Sequence, residues 1–287
     1  VPQSPGFFPV VSPAAQEAVF DNFLALLNVS TLAEARKLPS SALIAANAKQ
    51  VGTAPYGTFV YGPTVDGDFV PALPGQLLAR GQFDKNVTVM TGHNANEGLL
   101  FTSPFIDNNT ALDAFLLTSF PALTYMPQTL KYITQVLYPP IFDGSQAQNY
   151  TTQIGRVSAM LSEFSFTCNA VYLDKAYNNQ THAYLFDVPP SLHGQDIAYT
   201  YYNGNGSTTA GTGGTSFGVQ NVPVAIAMQE YITQFAKTGD PNIRGLPYFP
   251  IYGSNATVLA LGPRTISPMR DPAASARCAW WQKGLFY

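Results

Sequence analysis

The sequence predicts an α/β chain, a mixed and mostly parallel sheet with helices around it. Three observations carry this. Helical and strand-like segments alternate along 287 residues without internal repeats. Two compact apolar runs, 87–92 and 183–188, have the length and composition of buried strands. A content of 46% hydrophobic and 13% aromatic residues supplies a substantial core for one large or two ordinary domains.

In chain order, Ser12 before Pro13 reads as an N-cap with proline at the first helical position, and Val19, Phe20, Phe23, Leu24 and Leu27 follow at helical spacing. Thr31 and Glu34 have capping-box form, so a short helix is expected over about 32–38. "VTVMTG" at 87–92 is a β-branched run closed by glycine. The stretch 111–177 is helix-rich and is expected to form a cap or an outer layer on the sheet. The run 183–188 is a second strand, which Pro189 and Pro190 break into a loop presenting His193 beside Gly194.

Further along, "NGNGSTTAGTGGTSFG" at 203–218 is polar and of low complexity, with too little apolar surface to pack; disorder or proteolytic nicking is expected there. "VPVAIAMQEYITQFAKTGDPN" is an amphipathic helix stopped by Gly239 and Pro241. Asp271 and Pro272 are expected to open a last helix that carries Cys278 and Trp280.

Composition excludes several functions. Charged residues make up 11% of the chain and the net charge is −3, so there is no basic stripe to neutralise phosphates and no nucleic-acid partner is expected. No run approaches the roughly 18 apolar residues of a membrane span. The start "VPQSPGFFPV" lacks the cationic end and apolar stretch of a signal peptide, so any targeting segment is expected to have been removed or to lie elsewhere. Asn28, Asn86, Asn108, Asn149, Asn179, Asn205 and Asn255 each begin an N-x-[ST] acceptor without proline, an excess over chance that points to a secreted glycoprotein. Cys168 and Cys278 are the two cysteines. A lone pair is usually bridged in an oxidising compartment, and two buried free thiols are the alternative.

His193 is one of three histidines. A loop after a strand is where α/β enzymes hold catalytic groups, because the scaffold positions the side chain and the loop gives access; taken alone, a lone histidine is more often a surface or hydrogen-bonded loop residue. Glu97 lies in "GHNANEG", and Asp66, Asp68 and Asp196 are its competitors for orienting the ring. His93 reads as a loop hydrogen-bonder and His182 as the start of a strand. The three scattered histidines give no metal-ligand spacing.

Five blocks, in this order, carry a resemblance: "PTVDGDFVPALPGQLLARGQF", "VTVMTGHNANEG", "HGQDIAYTYYNG", "QFAKTGDPN" and "YFPIYGSNATVLAL" with the later "RCAWW". Together they resemble the C-terminal half of the type-B carboxylesterase/lipase family, which includes the cholinesterases and fungal lipases. Even the opening "QSPGFFP" resembles the segment after the nucleophile helix in fungal members. The resemblance implies that residues 1–287 are the C-terminal part of a single α/β-hydrolase domain. It implies carboxylic ester hydrolysis by a serine, a histidine and an acid, with no metal or organic cofactor. It places Glu97 as the acid and His193 as the base, in the chain order nucleophile, acid, histidine. It also pairs Cys168 with Cys278.

The nucleophile of that family sits in a G-x-S-x-G elbow after a buried strand, in the half that precedes these blocks. Gly214-Thr215-Ser216-Phe217-Gly218 satisfies the pattern, but it follows a Gly/Thr-rich loop and comes after both acid and histidine, so Ser216 is not expected to be the nucleophile. An N-terminal polypeptide of the same precursor is therefore expected as partner, carrying the serine and the oxyanion hole, whether separated by nicking or made as its own chain. Without it, strand 87–91 would expose backbone edges and apolar faces. The substrate is expected to be a small-molecule ester whose identity these residues do not specify. The alternative is a non-catalytic, cholinesterase-like binding or adhesion module. Retention of both Glu97 and His193 favours the enzyme, since a binding module has no chemical use for that pair.

Overall fold

A computed structural model describes residues 1–7, 13–204, 209–212 and 215–286. The first helix, α1 (Pro13–Leu26), starts on the expected proline; Ser12 lies outside the described residues. α2 (Leu32–Ala35) has the expected capping box, with the Glu34 N–H donating to Thr31 Oγ1 at 3.2 Å and the Thr31 N–H donating back to the Glu34 carboxylate at 3.0 Å. It ends at Ala35, short of 38, because Pro39 lies ahead and the chain tightens into a turn from the Leu38 N–H to the Ala35 carbonyl. Pro39 then serves as N-cap of α3 (Ser40–Gly52), a helix that the sequence patterning did not single out. α4 (Pro74–Ala79) again carries proline in its first turn.

The first strand, β1 (Met90–Asn94), begins later than the 87–92 run and continues through Gly92, with all five residues buried. Gly92 does not terminate it. A Cβ there would lie 2.0 Å from the ring of Tyr184, so the glycine makes room for the neighbouring strand's tyrosine. The helix-rich stretch follows as α5 (Asn109–Ser119), α6 (Pro127–Tyr132), α7 (Gln153–Ser162) and α8 (Cys168–Ala176). A π-helical turn, Glu163–Thr167, joins α7 to α8. Their apolar faces form one cluster, including Leu112, Leu116, Val157, Met160, Leu161 and Val171.

β2 (His182–Phe186) begins at His182 as expected and leads into the His193 loop and α9 (Gln195–Thr200). Two described parts of the 203–218 segment differ from expectation. Thr209–Thr212 (β3) and Thr215–Gly218 (β4) pair as an antiparallel ribbon, in keeping with the strand preference of β-branched threonines at 209, 212 and 215. Residues 205–208, 213 and 214 lie outside the described residues. α10 (Val222–Thr238) stops where Gly239 takes φ 78°, as the sequence predicts.

The last elements are β5 (Thr257–Leu261), β6 (Ile266–Arg270) and α11 (Ala276–Trp281). α11 carries Cys278 and Trp280 but starts at Ala276, not at Asp271, because Asp271 turns inward and its carboxylate accepts the Ala273 N–H at 2.7 Å. Cys168 and Cys278 are bridged, with Cα atoms 5.0 Å apart, tying α11 to α8.

The sheet has the order β1-β2-β5-β6, parallel from β1 to β5 and antiparallel between β5 and β6. It is mixed and mostly parallel, as expected. β2 is buried on both faces, the position of an inner parallel strand. Tyr184 and Phe186 point to the side of α9 and α10, among Tyr199, Met228, Phe249 and Leu259, while Ala183 and Leu185 meet Tyr252 and Val258 opposite. Full burial of a side chain the size of Leu185 or Phe186 stabilises by roughly 1.5–3 kcal/mol. Residues 2–4 run beside the other edge of β1, where the Ser4 N–H donates to the Gly92 carbonyl at 2.7 Å. Among the described residues no helix is long and apolar enough to cross a membrane.

Candidate active site

Two loops leave the same end of neighbouring parallel strands, the location that open α/β sheets use for chemistry. The loop after β1 carries Glu97 and the loop after β2 carries His193. They are laced together: the Ala95 N–H donates to the Phe186 carbonyl at 3.0 Å, the Asn96 N–H to the Ser191 carbonyl at 2.9 Å, and Asn96 Nδ2 to the Pro190 carbonyl at 2.9 Å. Two glycines allow this packing. Gly194 takes φ 77° directly after the histidine, which only a residue without Cβ adopts freely. A Cβ on Gly98 would fall 2.1 Å from the Ser158 carbonyl oxygen, so the glycine lets the acid loop press onto α7.

The two sequence-predicted residues meet. Glu97 Oε2 lies 2.6 Å from His193 Nδ1. Glu97 is fully buried, whereas the His193 side chain keeps 19% of its surface accessible. The carboxylate accepts at Nδ1, so that nitrogen carries the proton and Nε2 is the basic one.

The other carboxylate oxygen of Glu97 is also held. Oε1 accepts from Ser4 Oγ at 2.6 Å, the Asn94 N–H at 2.5 Å and Asn94 Nδ2 at 3.2 Å. Burial pushes this carboxyl up, but the bonds from His193, Ser4 and Asn94 and the imidazole's charge outweigh it, leaving the group below its ordinary range and ionised.

Of the competitors, Asp66 and Asp68 sit on an exposed turn, where Asp66 accepts the N–H groups of Asp68 and Val70. Asp196 is buried near Glu97, but its oxygens take Tyr184 OH at 2.8 Å and Asn94 Nδ2 at 3.2 Å. Burial, and then the charge of Glu97, raise its carboxyl above the usual range. Sequence reading missed Ser4 and Asn94. Asn94 lies inside the quoted "GHNANEG", while Ser4 is one serine among many, and only its place in "QSPGFFP" sets it apart.

His93 is a hydrogen-bonder as expected, though within β1 and not on a loop. Its Nδ1 lies 3.2 Å from the Asn94 carbonyl and its Nε2 3.3 Å from Asp271 Oδ1. Tyr252 OH donates to the other oxygen of Asp271 at 2.9 Å. Beside this pair, Asp174 accepts from Thr91 Oγ1 at 3.1 Å and Thr181 Oγ1 at 2.6 Å. Burial of the imidazole disfavours its charge, but Asp271 more than compensates and raises His93; burial pushes Asp174 up to about 7. This second polar cluster is fully enclosed and offers substrate no access.

Ser216 lies in the β3–β4 ribbon, paired with Gly211, and not at a strand-to-helix elbow; Gly214 of its motif is outside the described residues. Of the sequons, Asn28, Asn86, Asn108, Asn149 and Asn255 are exposed, Asn179 is half-buried, and Asn205 is outside the described residues. Glu163, Cys168 and Cys278 converge, but the sulfurs are bridged and the carboxylate is engaged by Arg277, so no open ligand set exists there.

The model of the carboxylesterase family matches residues 24–281. Carboxylesterase patB of Penicillium expansum is 36% identical over 287 residues, spanning 100% of this chain and 49% of that protein. Carboxylesterase patB of Aspergillus clavatus is 35% identical over 289 residues, with 49% of that protein covered. Neuroligin-3 of Mus musculus is 26% identical over 206 residues, 63% of this chain and 24% of that protein. The chain thus spans about half the length of the curated carboxylesterases it matches. Among solved structures, Aspergillus niger EstA superposes with TM-score 0.78 at 20% identity, covering 98% of this chain and 57% of that one. A thermophilic PNB esterase does so at 0.66 and 20%, covering 97% and 56%. The fold is that of these α/β-hydrolase esterases.

Proposed function

Because the chain belongs to the carboxylesterase family, we propose that it supplies the acid and the base of a Ser-His-Glu site for carboxylic ester hydrolysis. The serine and the oxyanion-hole donors come from an N-terminal polypeptide of the same precursor. The observation that carries this reading is the 2.6 Å contact between the buried Glu97 carboxylate and Nδ1 of the accessible His193. His193 Nε2 takes the hydroxyl proton as the serine oxygen attacks the ester carbonyl. Glu97 stabilises the imidazolium that results and keeps the ring in the productive tautomer. The proton then goes to the departing alcohol, and a water, deprotonated by the same nitrogen, releases the acid from the acyl-serine.

Each proton leaves and returns through one imidazole, so these steps need no metal or organic cofactor. Similarity to two proteins named carboxylesterases supports the reaction class. The bridged Cys168–Cys278 pair and the five exposed sequons support secretion as a glycoprotein. The layer formed by the 111–177 region is read as an outer wall of the same domain.

A fluorophosphonate probe, which reacts only with a serine activated by a base and an oxyanion hole, tests this on the assembled protein. Mass spectrometry is expected to find the adduct on the N-terminal polypeptide and none on these 287 residues, with labelling lost in His193→Ala. A stoichiometric adduct on Ser216 would overturn the split site. No adduct on either part would instead favour the non-catalytic binding module.

A further inference from the structure

Glu97 governs one edge of the His193 ring, but an imidazole hinged on a single hydrogen bond can still tilt about it. The face of the ring is covered by Phe166, whose centroid lies 4.2 Å away at an interplanar angle of 34°. Phe101 closes from the edge at 5.3 Å and 61°, and itself stacks on Phe166 at 5.5 Å and 27°. The three rings form one packed group at the end of the sheet.

Phe166 is held from several sides. It belongs to the π-helical turn Glu163–Thr167, and such insertions in a helix are frequent at functional sites because they re-aim side chains. The residue that opens the turn, Glu163, receives a two-pronged bond from Arg277 at 2.8 and 2.7 Å and a bond from Tyr138 OH at 2.6 Å. The residue that follows the turn, Cys168, is bridged to Cys278. Both Arg277 and Cys278 lie on α11, so the C-terminal helix grips the turn at both ends. The Phe7 N–H also donates to the Ser165 carbonyl within the turn at 3.0 Å. A Cβ on Gly6 would stand 3.1 Å from Phe166 Cε1, so the chain's first residues also close on the ring. Phe166 retains 4% of its surface exposed.

We propose that Phe166 is a positioning residue for His193. Its ring confines the imidazole to the plane in which Nδ1 meets Glu97, and α11 fixes Phe166 through the turn. A one-ångström misplacement of a reacting group costs rate out of proportion to its effect on binding, so the loss should appear in kcat. An aromatic side chain is required because a rigid ring inclined 34° over the imidazole at 4.2 Å limits its tilt, whereas an aliphatic one of similar volume fills the space without constraining it.

The kinetic readout rests on the ester-hydrolysis reading; a second readout does not. In the assembled protein, Phe166→Leu is expected to lower kcat on an aryl ester roughly tenfold with KM within about twofold, and Phe166→Tyr to restore it. In ¹H spectra, the Nδ1–H resonance of the His193–Glu97 hydrogen bond, assigned by its loss in His193→Gln, is expected at the same strongly downfield-shifted position in the parent and in Phe166→Tyr. It should move in Phe166→Leu. Equal kcat losses in the Leu and Tyr variants, an unchanged kcat in Leu, or an unmoved resonance would each overturn the proposal. Should Phe166→Leu not fold, Phe166→Met is read the same way. A parent protein that hydrolyses no ester but shows the shifted resonance overturns the ester-hydrolysis reading instead, and the Leu and Tyr spectra still decide the role of Phe166.

Discussion

Ser4 and Glu97, 93 positions apart, share a buried hydrogen bond of 2.6 Å. Ser4 adopts φ 47°, a left-handed conformation that costs a non-glycine residue about 1 kcal/mol, and Pro5 follows it directly. That conformation aims the hydroxyl at the carboxylate while the Ser4 N–H pairs with Gly92 on β1. Ser4→Ala leaves the buried Glu97 carboxylate one donor short, at a stability cost of about 1.5–3 kcal/mol. The Glu97 carboxyl is held low in the folded state, so its contribution to stability is present above the unfolded value near 4.5 and is lost as pH falls through the folded one. Removing the Ser4 donor raises the folded value, and acid unfolding followed by circular dichroism is expected to begin at higher pH in Ser4→Ala. An unchanged acid transition would show that the hydroxyl contributes nothing.

The two site residues should fail unequally. His193→Ala removes the group that moves the proton and is expected to lower kcat/KM by on the order of 10⁶, whereas Glu97→Gln, which removes the charge that orients and stabilises the ring, is expected to cost on the order of 10⁴. His93→Ala, behind the site, should change kcat/KM by less than about tenfold. Steady-state hydrolysis of a simple aryl ester by the assembled protein measures all three. Retention of most activity by His193→Ala would refute its role.

Asp174 should make stability fall as pH rises. Its carboxyl is raised to about 7, chiefly by burial, so between roughly pH 4 and 7 the folded protein keeps a proton that the unfolded chain has released. Stability therefore declines across that window. Asp174→Asn removes the titration while keeping an acceptor for Thr91 and Thr181. The drop in Tm between pH 5 and pH 8 is expected to shrink in this variant. The part due to His93, also raised, remains above its unfolded value of 6.5. A drop as large as in the parent would contradict this.

The Cys168–Cys278 bridge closes a loop of 110 residues. On the chain-entropy account such a closure stabilises by about 4–5 kcal/mol, so Cys168→Ala with Cys278→Ala should lower the denaturant midpoint markedly. Non-reducing peptide mapping of the parent is expected to recover the two cysteines as one linked pair. Two free thiols would exclude the bridge.

Much of this architecture was legible because its signals are local. The capping box of Thr31 and Glu34, the stop at Gly239 and the strand from His182 follow from neighbours in sequence. Glu97 and His193 could be named because their motifs resemble those of the type-B carboxylesterase/lipase family; position after a strand alone left Asp66, Asp68 and Asp196 as competitors for the acid. What escaped depends on partners distant in sequence. Gly92 looked like a strand terminator, and only the ring of Tyr184, paired across the sheet, explains why a glycine stands in mid-strand. Asp271 resembled a helix start until its bonds to His93 and Tyr252 drew it inward. Ser4 carries no local mark of its bond to Glu97, and Phe166 none of its place over His193. Within 203–218 the glycines read as a floppy loop, while in the described parts, Thr209–Thr212 and Thr215–Gly218, the threonines at 209, 212 and 215 favour strand pairing.

The covalent link between α8 and α11 also decides what a protease can release. Residues 168 to 278 form a closed ring of chain, and β2, His193, both strands of the threonine ribbon, α10 and the last two strands all lie within it. A cut between β3 and β4 opens that ring without freeing either end. The His193 side of the break stays tethered through Cys168, and the α10 side through Cys278. Such a nicked molecule would migrate as one species until reduced, with α10, β5 and β6 still joined to the fragment that carries both Glu97 and His193.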